Sequence, residues 1–198
     1  MSTLFPAIIS PKTPMALVHT ILTLLLENPS SGYDISKRFE DGISCYWNAS
    51  QQQIYRELTK MDKAGLVERK VVLQQGKPDK KIYSITEEGH QKVLDWCLQP
   101  TEPTVIREDL MVRILLTPHV PKERTLVELQ RRRQLHIEQL ACYTESKNFY
   151  LEQGYFFEEE PTKLDKYRYL TLLRGIRFEE SWVAWCNEVL EILQAETD

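Results

Sequence analysis

Residues 50–85 read SQQQIYRELTKMDKAGLVERKVVLQQGKPDKKIYSI, and their order decides the fold. Ser50 suits a helix N-cap, and Ile54, Leu58 and Met61 then recur at a spacing that buries one helical face. Gln52, Arg56, Lys60 and Lys63 recur on another face, and Gly65 stops the helix. Val67, Arg69, Val71 and Leu73 alternate as in a strand, Gly76-Lys77-Pro78-Asp79 turns, and residues 81–85 return. A helix followed by a two-stranded ribbon predicts a winged helix-turn-helix, mainly α with a small β-ribbon wing. In that arrangement the helix can enter a DNA major groove while the ribbon tip reaches the neighbouring backbone.

Charge is distributed to match. The 198 residues carry a net charge of −4, which by itself argues against a polyanionic partner. Residues 50–81, however, hold 8 Lys+Arg against 4 Asp+Glu, whereas residues 99–198 hold 13 against 18. The local excess is the footprint expected of a DNA-binding surface. Hydrophobic residues make up 42%, enough for a normal core in one large domain or two small ones.

Upstream, Thr13-Pro14 predicts a helix start, and residues 17–26 are mostly apolar, as in a core helix. Asn28-Pro29-Ser30-Ser31-Gly32 breaks that helix. A second follows from about Tyr33, with Ile35 and Phe39 inward and Lys37, Arg38 and Glu40 outward. Downstream, Thr86 to Gly89 opens a helix whose apolar side holds Val93, Leu94 and Cys97. Pro100 and Pro103 flank a polar break. The expected organisation is a winged-helix domain over residues 1–99 and a helical dimerisation domain over residues 104–198. The latter begins with a helix over about 106–116 and continues as two long antiparallel helices, over about 122–153 and 162–195. In the last of these, Leu164, Thr171, Phe178, Trp185 and Ile192 lie seven apart, with Gly175, Trp182 and Val189 beside them. That heptad-like seam predicts lengthwise packing on another helix. Two helices in one hairpin cannot cover so much apolar surface, so a second copy of the chain is the simplest cover.

Several spaced elements together resemble the PadR family of winged-helix transcriptional regulators. They are Gly32-Tyr33-Asp34-Ile35, Trp47, Ser50 with Ile54-Tyr55-Arg56-Glu57-Leu58, Ala64-Gly65-Leu66-Val67, the Gly76 to Tyr83 wing, and Ser84-Ile85-Thr86-Glu87-Glu88-Gly89. The run from Trp47 to Leu58 and the two long C-terminal helices look closest to the AphA-like branch. Gln51-Gln52-Gln53 stands where many members carry Pro-Gly-Ser/Thr, so no family operator is carried over. The resemblance implies a homodimer with two DNA-reading heads, regulating transcription on double-stranded DNA. It also adds an unidentified small-molecule effector as a candidate partner, since some PadR-like dimers hold flat aromatic ligands between domains. Trp96, near the junction, is the residue to watch for that role.

The candidate DNA contacts follow from residue type and place. Gln51, Gln52 and Gln53 sit at the N-terminal end of the third helix, behind their cap Ser50. Glutamine can pair bidentately with adenine, and Arg56 with guanine or a phosphate. Lys60 shares the polar face. Tyr55 either points its hydroxyl at a phosphate or simply packs. Lys77, Lys80 and Lys81 suit backbone or minor-groove contact from the wing, so Lys80→Ala should weaken all duplexes alike and flatten the salt dependence. Tyr33, Lys37 and Arg38 are placed to clamp phosphate from the second helix.

Other chemistry finds little footing. The chain has no GxSxG, HExxH, P-loop or Rossmann glycines, so no catalysis is expected. Cys45, Cys97, Cys142 and Cys186 lie more than forty residues apart, which predicts reduced, packed thiols and neither metal nor cofactor. His19, His90, His119 and His136 are isolated, and Arg131-Arg132-Arg133 reads as a solvated or salt-bridged helical face. Residues 15–26 are too short to span a bilayer and no cationic stretch precedes them, which points away from a membrane and to the cytoplasm. The alternative reading, supported by the acidic C-terminal half, is an adaptor whose winged helix and helical hairpin bind a protein partner.

Overall fold

Apolar periodicity sets the first core. In the computed structural model, residues 17–41, 47–74, 76, 79–101, 103, 107–152 and 163–195 are described. The chain divides into two units, Met1–Ile106 and Arg107–Asp198.

In the first unit α1 (Leu17–Glu27) buries Ile21, Leu22, Leu24 and Leu25. The residues expected to start that helix, Thr13 and Pro14, lie outside the described residues. α2 (Gly32–Asp41) adds Ile35 and Phe39, and α3 (Gln51–Lys63) adds Ile54, Leu58 and Met61. Leu66, Val67, Tyr83 and Val93 complete the cluster, with Trp47 and Trp96 packed at its margin.

The ribbon consists of β2 (Val67–Val72) and β3 (Lys80–Ile85), antiparallel with Val67 opposite Ile85 and Val72 opposite Lys80. Only Val67 of β2 reaches the core, and Val71, Val72 and Leu73 are exposed. The expected alternation therefore has no buried face, because the strand's outer half projects beyond the helices. Residues read as a simple break form a further strand, β1 (Ser30–Ser31), which pairs with β3 through Ser30–Tyr83 and Ser31–Ile82. The sheet order is β1-β3-β2. A two-residue strand of serines has no apolar period to betray it.

α4 (Glu87–Cys97) starts at the Thr86 cap, whose Oγ1 accepts from Gly89 N at 3.1 Å. Val93 is buried, but Leu94 and Cys97 face solvent. Trp96 turns in instead and stacks on His19 of α1, ring centroids 4.6 Å apart. The broad indole covers α1 in the place expected of the two smaller side chains.

In the second unit α5 (Asp109–Leu115) is capped by Glu108, which accepts from Leu110 N at 3.3 Å. That cap sets the start of α5 at Asp109. A 3₁₀ turn over Thr117–His119 leads to α6 (Lys122–Glu152), and α7 (Lys163–Ala195) completes the unit. Residues 153–162 lie outside the described ones. α6 and α7 run antiparallel, with His136 beside Glu179 and Arg133 beside Asn187. Leu110, Leu129, Leu190 and Leu193 form the core, flanked by Trp182, Trp185 and Val189. Arg131, Arg132 and Arg133 find three different acceptors, Glu128, Glu108 and Asn187, as successive helical positions must. Cys186 is buried as expected of a packed thiol, and burial pushes its pKa up. Cys97 and Cys142 are exposed, and Cys45 lies outside the described residues. Among the described residues no helix is long and apolar enough to cross a membrane, and no cluster of metal-ligating groups occurs.

Candidate nucleic-acid interface

The start of α3 is held by a reciprocal cap. Ser50 N donates to Gln53 Oε1 at 2.8 Å, and Gln53 N donates to Ser50 Oγ at 3.3 Å. Both bonds satisfy donors that a helix start leaves open. Gly65, at φ 73°, then adopts the left-handed conformation that ends the helix without a Cβ penalty.

Between those ends α3 presents one wholly outward face. At roughly 100° per residue, Gln52, Arg56, Thr59 and Lys63 lie opposite the buried Ile54, Leu58 and Met61. All four are exposed. The side chains of Gln51, Gln52, Arg56 and Lys63 have no hydrogen-bond or ion-pair partner among the described residues. Lys63 belongs with this set as strongly as Lys60, which instead pairs with Glu57 at 3.0 Å. The signal for Lys63 was its position on the polar face, seven residues after Arg56.

Tyr55 packs its ring and still keeps part of its surface in solvent. Its ring lies against Gly32, where an added Cβ would stand 2.5 Å from Tyr55 Cε1, yet the side chain remains 41% exposed. Any side chain in place of the glycine that opens α2 would have to displace the Tyr55 ring. Tyr33 and Lys37 are exposed on α2. Arg38 is not outward as expected. Its guanidinium donates to Leu24 O at 3.2 Å and pairs with Glu27, tying α2 to the end of α1.

The wing is also sorted by its contacts. Lys80 Nζ sits 3.0 Å from Asp34 Oδ2, which in turn accepts from Ser31 Oγ at 2.7 Å. The Ser31 hydroxyl, ahead of the Lys80 ammonium, holds the Asp34 carboxyl below the usual carboxylate range. Lys80 thus fastens β3 to the start of α2. Lys81 is exposed without a partner among the described residues, and Lys77 lies outside them.

In the second unit the seven-residue seam divides. Trp182, Trp185 and Val189 are half-buried against the hairpin core. Thr171, Phe178 and Ile192 are exposed, Phe178 to 44% and Ile192 to 55%. The side chain of Leu164 lies outside the described residues. The face of α7 that the hairpin does bury runs through Leu172, Ile176, Glu179, Cys186, Leu190 and Leu193.

The chain resembles known proteins along most of its length. Residues 21–95 match the transcriptional regulator PadR-like family, and residues 106–194 match the virulence activator alpha C-terminal family. A probable transcriptional regulator of Mycobacterium tuberculosis is 33% identical over 195 residues, covering 91% of this chain and 98% of that protein. The Vibrio cholerae virulence activator AphA superposes with a TM-score of 0.74 at 31% identity, over 91% of this chain and 99% of the other. Bacillus subtilis PadR, solved in complex with operator DNA, superposes at 0.76 with 24% identity, over 89% and 98%. The winged-helix unit and the long-helix C-terminal unit thus have their counterparts together in one group of regulators: this chain is a transcriptional regulator of the PadR-like family, with a C-terminal half of the AphA kind.

Proposed function

We propose that the protein acts as a homodimer on a palindromic operator, one reading head per half-site, in the cytoplasm. α3 enters the major groove and the wing lies along the adjacent backbone. The observation that carries this is the outward face of α3, where Gln52, Arg56 and Lys63 present donors with no described partner inside the protein. Unpartnered polar groups on one rigid, capped helix are what base edges and phosphates require. Lys37, Lys81 and Tyr33 supply backbone contacts around it, joined by Lys77, Gln51 and the Tyr55 hydroxyl. Dimerisation brings the exposed seam of α7, with Phe178 and Ile192, against its copy, since a hairpin with one uncovered apolar face is stabilised by a twofold mate. Light scattering together with fluorescence anisotropy on duplexes from the gene's own upstream region tests both parts. A dimer mass and tight binding to one inverted repeat is the expected result. A monomer, or equal affinity for every duplex at all salt concentrations, would refute it. Retention of a protein partner with no duplex bound at low salt would favour an adaptor instead.

A further inference from the structure

We infer that Gln52 and Arg56 form the base-reading pair of α3, whereas Gln53 is a positioning residue that holds the start of the helix. The inference rests on the DNA-binding reading above and divides three glutamines that look equivalent in sequence. Gln53 is already engaged, because its amide oxygen accepts from Ser50 N at 2.8 Å while its own N–H is held by Ser50 Oγ at 3.3 Å. Turning that side chain toward a base would leave the Ser50 N–H open. Gln51 lies four residues before Tyr55 and so shares the flank of α3 whose ring rests on Gly32. Gln52 and Arg56 are also four residues apart, but on the face opposite the core, exposed and unpartnered among the described residues.

Their separation along the helix axis is about 6 Å, close to two base-pair steps of B-DNA. A glutamine amide can turn one N–H donor and its carbonyl acceptor to the same edge, matching N7 and N6 of adenine. The arginine fork offers two parallel donors, matching N7 and O6 of guanine. The half-site should therefore hold an adenine and a guanine one or two steps apart, both read from the major groove.

A random-oligonucleotide binding selection on the full-length protein tests this. Wild type should enrich that adenine and guanine. Gln52→Ala should erase only the adenine preference and Arg56→Ala only the guanine preference. Gln53→Ala should keep both, lower Tm, and weaken all duplexes by a common factor of about two- to tenfold. Gln53→Glu, which still offers an oxygen to Ser50 N, should restore Tm and keep both preferences. A changed base preference in either Gln53 variant would overturn the assignment, as would intact preferences in the Gln52 and Arg56 variants. If the wild type enriched no sequence, the DNA-binding reading beneath the inference would fall with it.

Discussion

The two units solve the same problem, burying one apolar face per helix, with opposite results at their surfaces. In the first unit four helices and a short sheet enclose Ile21, Ile35, Phe39, Ile54 and Leu58, and what α3 leaves outside is polar. In the second unit only two long helices and a short one are available, and α7 keeps Phe178, Ile192, Leu170 and Tyr167 in solvent. Caps and ion pairs within the unit fasten the polar part of the first surface. The second leaves apolar side chains that its own helices do not cover. The lesson is that layering decides how far a core is enclosed: several helices packed with a sheet can surround one, whereas two long helices side by side can only line it.

Disrupting the seam should have the largest effect. Phe178→Glu places a carboxylate in the face proposed to meet its copy, and burying an unpaired charge costs several kcal/mol. The expected result is a monomer by analytical ultracentrifugation and at least about 100-fold weaker operator binding, with Tm of the winged-helix unit unchanged. A surviving dimer would mean that the uncovered face has another use. Next comes Gly32→Val, which tests whether the first unit is as closed as its core suggests. The added side chain meets the Tyr55 ring and should cost about 1–3 kcal/mol in chemical denaturation. No loss would show that the ring moves aside freely.

A smaller effect separates holding from contacting cations. Lys37→Ala should reduce the slope of log affinity against log salt by about 0.9, one phosphate contact. Arg38→Ala, which loses Leu24 O and Glu27, should lower Tm and leave the slope alone. Equal slopes for both variants would erase the distinction. The smallest effect is a pH dependence. Burial, and secondarily Lys92, pulls the His19 imidazole below its ordinary value. The unfolded chain therefore takes up a proton before the folded one does. Stability contributed by neutral His19 is full above about pH 6.5 and declines as pH falls toward the folded-state value. Wild type should lose Tm between about pH 7 and 5 more steeply than His19→Phe, which keeps a ring against Trp96. Parallel curves would show that His19 takes no part.

Local signals in the chain carried much of this, and their failures have physical causes. The cap at Ser50, the stop at Gly65 and the 3.6-residue spacing of Ile54, Leu58 and Met61 each reside in a few neighbouring residues, so α3 was legible with its boundaries. The seven-residue repeat in α7 did not mark the face that the hairpin buries, which runs through Leu172, Ile176, Cys186, Leu190 and Leu193. What stayed hidden depends on residues far apart in sequence. Nothing near Arg38 says that Glu27 and Leu24 O lie within its reach, and nothing near Lys80 points to Asp34. The two-serine strand takes its identity only from pairing with Tyr83 and Ile82.

Sequence alone determined the order of the helices and ribbon, the cap and stop of α3 with its apolar face, and which family pattern the head follows, because these are matters of spacing within a turn or two. Tertiary structure decided which of the exposed-looking polar groups remain available. Hydrogen bonds and ion pairs form between whatever the fold brings within about 3 Å, and that proximity is a property of packing that no single stretch of chain encodes.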